Sequence, residues 1–200
     1  MPQIVYLLRH GEATSNIKRV WSFKGDLTPV GIKQAEYWAD YFKEKDIIKI
    51  YASTVSRTSQ TAEIIAQELG LGVEKRNEIV EADGGNFMER NVDLPEKRAL
   101  EEELFSSWEK GKWMKSYPNG ESFNDLRIRF ENLVEDLPRS GNLLIVSHQM
   151  PIAVFLWTFC INHPDKFLGC WLSRAGMVKV ERIGKNKFKI LELNVKPEVY

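Results

Sequence analysis

The sequence has only two cysteines, Cys160 and Cys170, and three histidines in 200 residues. Both cysteines sit in apolar surroundings and without the spacing of a zinc site. A disulfide framework is therefore excluded, and they read as buried thiols of a reducing compartment. Net charge is missing too, since 28 basic residues balance 28 acidic ones. That balance removes the broad positive field on which non-specific binding to nucleic acid or an anionic membrane depends, so neither is expected as a partner. There is no long apolar run. Ile4–Leu8 is cut short by Arg9 and lacks the basic start of a signal peptide, and Ile152–Ile161 falls well short of a membrane span. No repeat, low-complexity tract or Gly/Ser-rich linker divides the chain. It reads as a soluble, cytoplasmic protein whose 43% hydrophobic content suffices for one domain over residues 1–200.

Three short runs rich in Ile, Val, Leu or Tyr, namely Gln3–Leu8, Ile47–Ala52 and Leu143–Ser147, have the character of strands buried on both faces of a parallel sheet. Helical patterns lie between them. Thr28 as N-cap and Pro29 at the first helical position start one helix, with Ile32, Ala35, Trp38, Ala39 and Phe42 on its inner face. A second is predicted from Ser56 to Leu69 with Gly70 as its stop. Others are predicted from Pro95 to Trp113, after the N-cap Ser122, and from Met150 to Ile161. Glu101–Glu103 reads as a solvated helix face. Met177–Ile183 and Phe188–Leu193 flank a turn and form a closing hairpin. Alternating strands and helices predict an α/β fold, a three-layer α/β/α sandwich with a mostly parallel central sheet and a C-terminal hairpin.

The first strand runs into Arg9-His10-Gly11-Glu12, at the carboxyl end where open α/β sheets hold their ligands. Gly11 can take a positive φ and let the backbone approach a ligand closely. A later strand ends on Val146-Ser147-His148-Gln149, and Arg57 follows a third strand. Adjacent strands would bring Arg9, His10, Arg57 and His148 to one crevice. Two guanidinium forks and two imidazoles suit a phosphoryl group and repel a metal cation, so no metal or other cofactor is expected.

These residues resemble the histidine phosphatase superfamily, also called phosphoglycerate mutase-like. The resemblance covers Leu8 to Glu12 with Thr14 and Asn16; Gly25 to Thr28 with Gly31, Gln34 and Ala35; Ser53 and Arg57 with Gln60 to Ala62; Gly120 to Ser122; and Val146 to His148. It implies that His10 is the nucleophile, forming a transient phosphohistidine. Arg9, Arg57 and His148 would then hold the phosphoryl oxygens, and Asn16 would add a donor. Ile79-Val80-Glu81 with Gly85 and Phe87 resembles the block carrying the proton donor, which makes Glu81 the candidate acid, with Asp83 and Glu12 as alternatives. Met88 and Gln149 depart from the family pattern. Both are expected to alter the pocket wall rather than the phosphate clamp, which places Gln149 among the substrate contacts.

Residues 86–118 are expected to cover the substrate. Phe87, Met88, Phe105, Trp108, Trp113 and Met114 could line an apolar lid or simply pack a helix on the body, and Trp21 and Phe23 have a better claim to the entrance. The implied activity is hydrolysis of small-molecule phosphomonoesters. Phosphoglycerate mutase chemistry and a catalytically silent binding module are the alternatives; oligomeric state is not readable.

Overall fold

The computed structural model describes residues 2–199. Its six-stranded sheet comprises β1 (Ile4–Arg9), β2 (Ile47–Ser53), β3 (Val73–Arg76), β4 (Asn142–Ser147), β5 (Met177–Gly184) and β6 (Lys187–Val195), in the order β3-β2-β4-β1-β5-β6. The first four run parallel, and the hairpin β5–β6 adds two antiparallel strands beside β1. The helices are α1 (Thr14–Ile17), α2 (Pro29–Phe42), α3 (Ser56–Leu69), α4 (Pro95–Glu109), α5 (Phe123–Asp136) and α6 (Gln149–Phe159). Among the described residues no helix is long and apolar enough to cross a membrane.

Side chains alternate across each strand, so one buried strand feeds two cores. Val5, Leu7, Leu143 and Ile145 pack under α5 and α6, where Phe130, Leu133 and Phe155 meet them. Tyr6, Leu8, Leu144 and Val146 face the other way, onto Trp38 and Phe42 of α2 and Ala62 and Ile65 of α3. The expected three-layer sandwich is the one observed.

Local signals set most helix ends. The Thr28 side chain accepts from the Gly31 N–H at 3.1 Å, Gly70 closes α3 at φ 65°, and Ser122 and Asp125 form a capping box. Three details differ from expectation. Ile32 is 41% exposed, because Gly31, Ala35, Trp38 and Phe42 form the inward stripe of α2 and leave Ile32 at its margin. Helix α4 stops at Glu109, where Gly111 turns the chain at φ 79° and the Trp113 indole N–H donates back to the Trp108 carbonyl at 3.1 Å. β3 and the short α1 were not anticipated; Val-Glu-Lys-Arg is a charged edge strand with no alternation to read.

Gly11 does not use its freedom to adopt positive φ. It is needed for closeness instead: a Cβ there would lie 2.6 Å from the Gly31 carbonyl oxygen, and one on Gly31 would lie 2.0 Å from the Glu12 oxygen. Backbone therefore meets backbone where α2 begins, and this contact holds the segment after His10 against the body of the protein.

Candidate active site

β1 and β4 are neighbours, with Arg9 opposite Ser147 in register, so His10 and His148 leave the sheet side by side. Their ring centroids are 5.2 Å apart. β2 lies beyond β4 and delivers Arg57 in the first turn of α3. Arg57 spans both rings: its Nε donates to His10 Nε2 at 3.0 Å and its Nη2 to His148 Nδ1 at 3.2 Å.

A guanidinium can only donate, so those two ring nitrogens carry lone pairs. His10 must then hold its proton on Nδ1, which donates to the Gly11 carbonyl at 2.7 Å. His148 holds its proton on Nε2, which donates to Ser53 Oγ at 2.7 Å. Burial, followed by the charges of Arg57 and Arg9, lowers the pKa of His10 well below the ordinary histidine value. Burial, then Arg57, does the same to His148. Both imidazoles are therefore neutral.

A cavity of about 340 Å³ opens in front of these groups, lined by His10, Arg9, Arg57, Asn16, Glu81 and Gln149 among others. His148 is fully buried behind Arg57 and does not line it. Burial lowers Arg9 to about 10, against the opposing pull of Glu81. Arg9 Nη1 donates to the Leu172 carbonyl at 2.7 Å and to Gln149 Oε1 at 3.0 Å. Gln149 therefore belongs to the clamp rather than only to the pocket wall. Arg9 Nε and Gln149 Nε2 are buried donors without a partner. Asn16 Oδ1 accepts from the Ala13 N–H at 2.9 Å, which leaves its amide NH2 as the donor. Among the described residues neither Arg9 nor Arg57 is ion-paired, and no group of three His, Cys, Asp or Glu side chains could hold a metal.

Glu81 reaches the same cavity, and its Oε1 accepts from the N–H groups of Ala82 at 2.9 Å and Met150 at 3.2 Å. Asp83 and Glu12 do not line the cavity. Asp83 caps its own turn through Gly85, and Glu12 is engaged by Arg174 and Thr28. The Glu81 segment is braced from behind. Arg129 forks onto both Glu121 oxygens at 2.8 and 3.0 Å and donates to the carbonyls of Glu78 at 2.7 Å and Glu81 at 3.3 Å. Gly120 is required there because a Cβ would lie 2.5 Å from the Asp83 oxygen. The Gly120-Glu121-Ser122 block thus positions Glu81 without touching the cavity.

Four further charged residues, Arg19, Lys97, Glu101 and Arg174, line the cavity and were not anticipated. Glu101 corrects the reading of Glu101–Glu103 as a solvated face. Phe87, Phe105 and Trp108 are core rather than lid, Met114 is 74% exposed, and neither Met88 nor Phe23 lines the cavity, whereas Trp21 does.

The lowered histidine values set the sign of a pH effect. Their folded pKa lies below the unfolded value, so their contribution to stability is fully present above pH 6.5 and is lost as the pH falls below it. At about 1.4 kcal/mol per pH unit for each ring, the pair removes roughly 3 kcal/mol per unit. Urea midpoints at pH 7.5, 6.5 and 5.5 should fall slightly between the first two and drop sharply at the third, with a shallower drop in His10→Gln. A flat midpoint down to pH 5.5 would contradict the neutral pair.

A family model described as the histidine phosphatase superfamily (branch 1) matches residues 5–196. The chain is 31% identical over 208 residues to 6-phosphofructo-2-kinase/fructose-2,6-bisphosphatase 1 of Homo sapiens, covering 98% of this chain and 43% of that protein. It is 31% identical over 160 residues to 6-phosphofructo-2-kinase/fructose-2,6-bisphosphatase of Gallus gallus, covering 79% of this chain and 33% of that protein. The chain spans less than half the length of these curated relatives. Among solved structures, the alpha-ribazole phosphatase of Shigella flexneri superposes with a TM-score of 0.76 at 24% identity over 96% of both chains, a likeness of fold.

Proposed function

The chain belongs to the histidine phosphatase superfamily (branch 1), and from that premise we propose that it hydrolyses small phosphomonoesters through a covalent phosphohistidine on His10. The observation that carries this reading is the fork of Arg57 on both imidazole lone pairs, beside the unpartnered donors of Arg9 and Gln149. An arriving phosphate offers its oxygens to Arg9, Arg57, Gln149 and Asn16, and draws Arg57 Nε away from His10 Nε2. The released lone pair attacks phosphorus, the bond from phosphorus to the ester oxygen breaks, and Glu81 gives that oxygen its proton. Water then attacks the phosphohistidine while Glu81 takes the water's proton, and the N–P bond breaks to release phosphate.

His148 backs this exchange. Its Nδ1 accepts from Arg57 and so holds the fork in place from behind the cavity. Nothing in the scheme calls for a metal.

The test is phosphate release from p-nitrophenyl phosphate and a phosphomonoester panel, with and without chelator, beside interconversion of 3- and 2-phosphoglycerate. Free phosphate without isomer exchange, unaffected by chelator, is the expected result. Isomer exchange outpacing phosphate release would replace hydrolysis with mutase chemistry. No turnover of any ester would leave the silent binding module.

A further inference from the structure

Lys97 is only 5% exposed, yet the hydrolytic scheme gives it no task. Its ammonium donates to Glu101 Oε1 one turn along α4 and lies 4.9 Å from the centroid of the Trp21 ring. Glu101 Oε1 also accepts from the Tyr117 hydroxyl at 2.9 Å, and burial, then Glu101, pushes the Tyr117 phenol up, so it stays a donor. Trp21 is fixed in turn. It meets Tyr117 edge-on with centroids 5.0 Å apart, and a Cβ on Gly84 would come within 2.7 Å of the indole. Lys97, Glu101 and Trp21 line the same cavity as His10, Arg9 and Glu81.

A buried ion pair adds little stability over an apolar pair of the same size, because both charges lose their water. Four side chains arranged to hold one in a cavity wall therefore point to a ligand. The pair also keeps bonding capacity. Both contacts to Glu101 fall on Oε1, which leaves Oε2 as an acceptor, and the ammonium retains donors beyond the one given to Glu101.

Charge decides what kind of group fits. Lys97 and Glu101 cancel, and the other added cations are also engaged. Arg174 is paired with Glu12, and Arg19 with Asp93, which Arg98 shares, both on the exposed rim. A second phosphate thus finds no buried unpaired cation beyond Arg9 and Arg57. A zwitterionic group would have to prise apart a closed pair whose ammonium is buried and whose carboxylate is largely covered. Hydroxyls do neither: adjacent hydroxyls can accept from Lys97 and donate to Glu101 Oε2 while the pair stays closed.

We propose that Lys97 and Glu101 form the recognition site for hydroxyls on the leaving group, which makes the substrate a polyol or sugar monophosphate. The inference rests on the hydrolase reading above, and the test separates the two. With the purified native chain, kcat/KM is compared on matched pairs: glycerol phosphate against propyl phosphate, and glucose 6-phosphate against hexyl phosphate. Fructose 1,6-bisphosphate, phosphoserine and p-nitrophenyl phosphate complete the set. The best polyol monophosphate should exceed its alkyl counterpart by about 30-fold or more, because an alkyl chain leaves the buried donors and acceptor unpaired. Glu101→Gln and Lys97→Met should each shrink that ratio to about threefold, with thermal melts showing that the variants are folded; the native ratio stands by itself if they are not. Equal rates on matched pairs would overturn the proposal, as would a bisphosphate or phosphoserine as the best substrate. Failure on every ester, p-nitrophenyl phosphate included, would sink the hydrolase reading and the recognition site with it.

Discussion

His10→Ala is expected to reduce phosphomonoester hydrolysis by on the order of 10⁴-fold or more, since removing the nucleophile removes the covalent route and leaves only binding and electrostatic assistance. The environment of the ring supports so large a loss. His10 is buried, neutral and fixed in one tautomer by the Gly11 carbonyl and the Arg57 guanidinium, and no other described side chain offers an unprotonated nitrogen to the cavity. His148, the nearest candidate, is fully buried behind Arg57. Rapid quenching of the native chain during turnover should trap an acid-labile phosphoryl group on His10, and His10→Ala should trap none. Because Arg9 and Gln149 keep their mutual contacts in the variant, inorganic phosphate should still bind, and that binding distinguishes a lost nucleophile from a collapsed pocket. A variant that kept a tenth of native turnover would remove His10 from the chemistry.

Glu81→Gln should produce the second-largest loss, and the leaving group should set its size. The amide keeps an oxygen to accept from Ala82 and Met150, so the local fold is preserved while the transferable proton is gone. An alkyl phosphate, whose alkoxide is a poor leaving group, should lose about 10²- to 10⁴-fold in kcat/KM. p-Nitrophenyl phosphate, whose phenolate leaves without a proton, should lose less than about tenfold. The ratio kcat/KM is the right readout because it reports phosphorylation of His10 and not the later hydrolysis. Equal losses on both esters would show that Glu81 positions the phosphate rather than protonating the leaving oxygen. No loss on either would return the role to another group.

The end of the cavity that holds His10 was readable because it is built from strand ends. Apolar runs that terminate in Arg9-His10 and Ser147-His148 announce buried parallel strands, and the ends of such strands share one edge of the sheet. Arg57 was readable for the same reason, as the first turn after β2. The end that holds Lys97 and Glu101 was not. Lys97 and Glu101 sit in a charged stretch whose pattern is that of any solvated helix, and only the packing of Leu104, Phe105 and Trp108 into the core turns that face of α4 inward. Arg174 comes from the loop before β5, beyond the last block that resembles the family, and reaches the cavity because β5 pairs with β1.

Gly11 and Gln149 show the same division. Their places in the motifs could be read from sequence, but their roles could not. Gly11 meets the Gly31 backbone rather than adopting positive φ, and Gln149 orients Arg9. By itself the sequence determined the layered α/β fold, the strand ends that gather at the cavity and the residue types that meet there, because hydrophobic periodicity and strand-end position are local properties. Only the tertiary structure decided the protonation of the two histidines, the grip of Arg57 on both and the inward turn of Lys97 and Glu101. Each of these depends on burial and on partners between 16 and 91 residues away, and no local pattern encodes such distances.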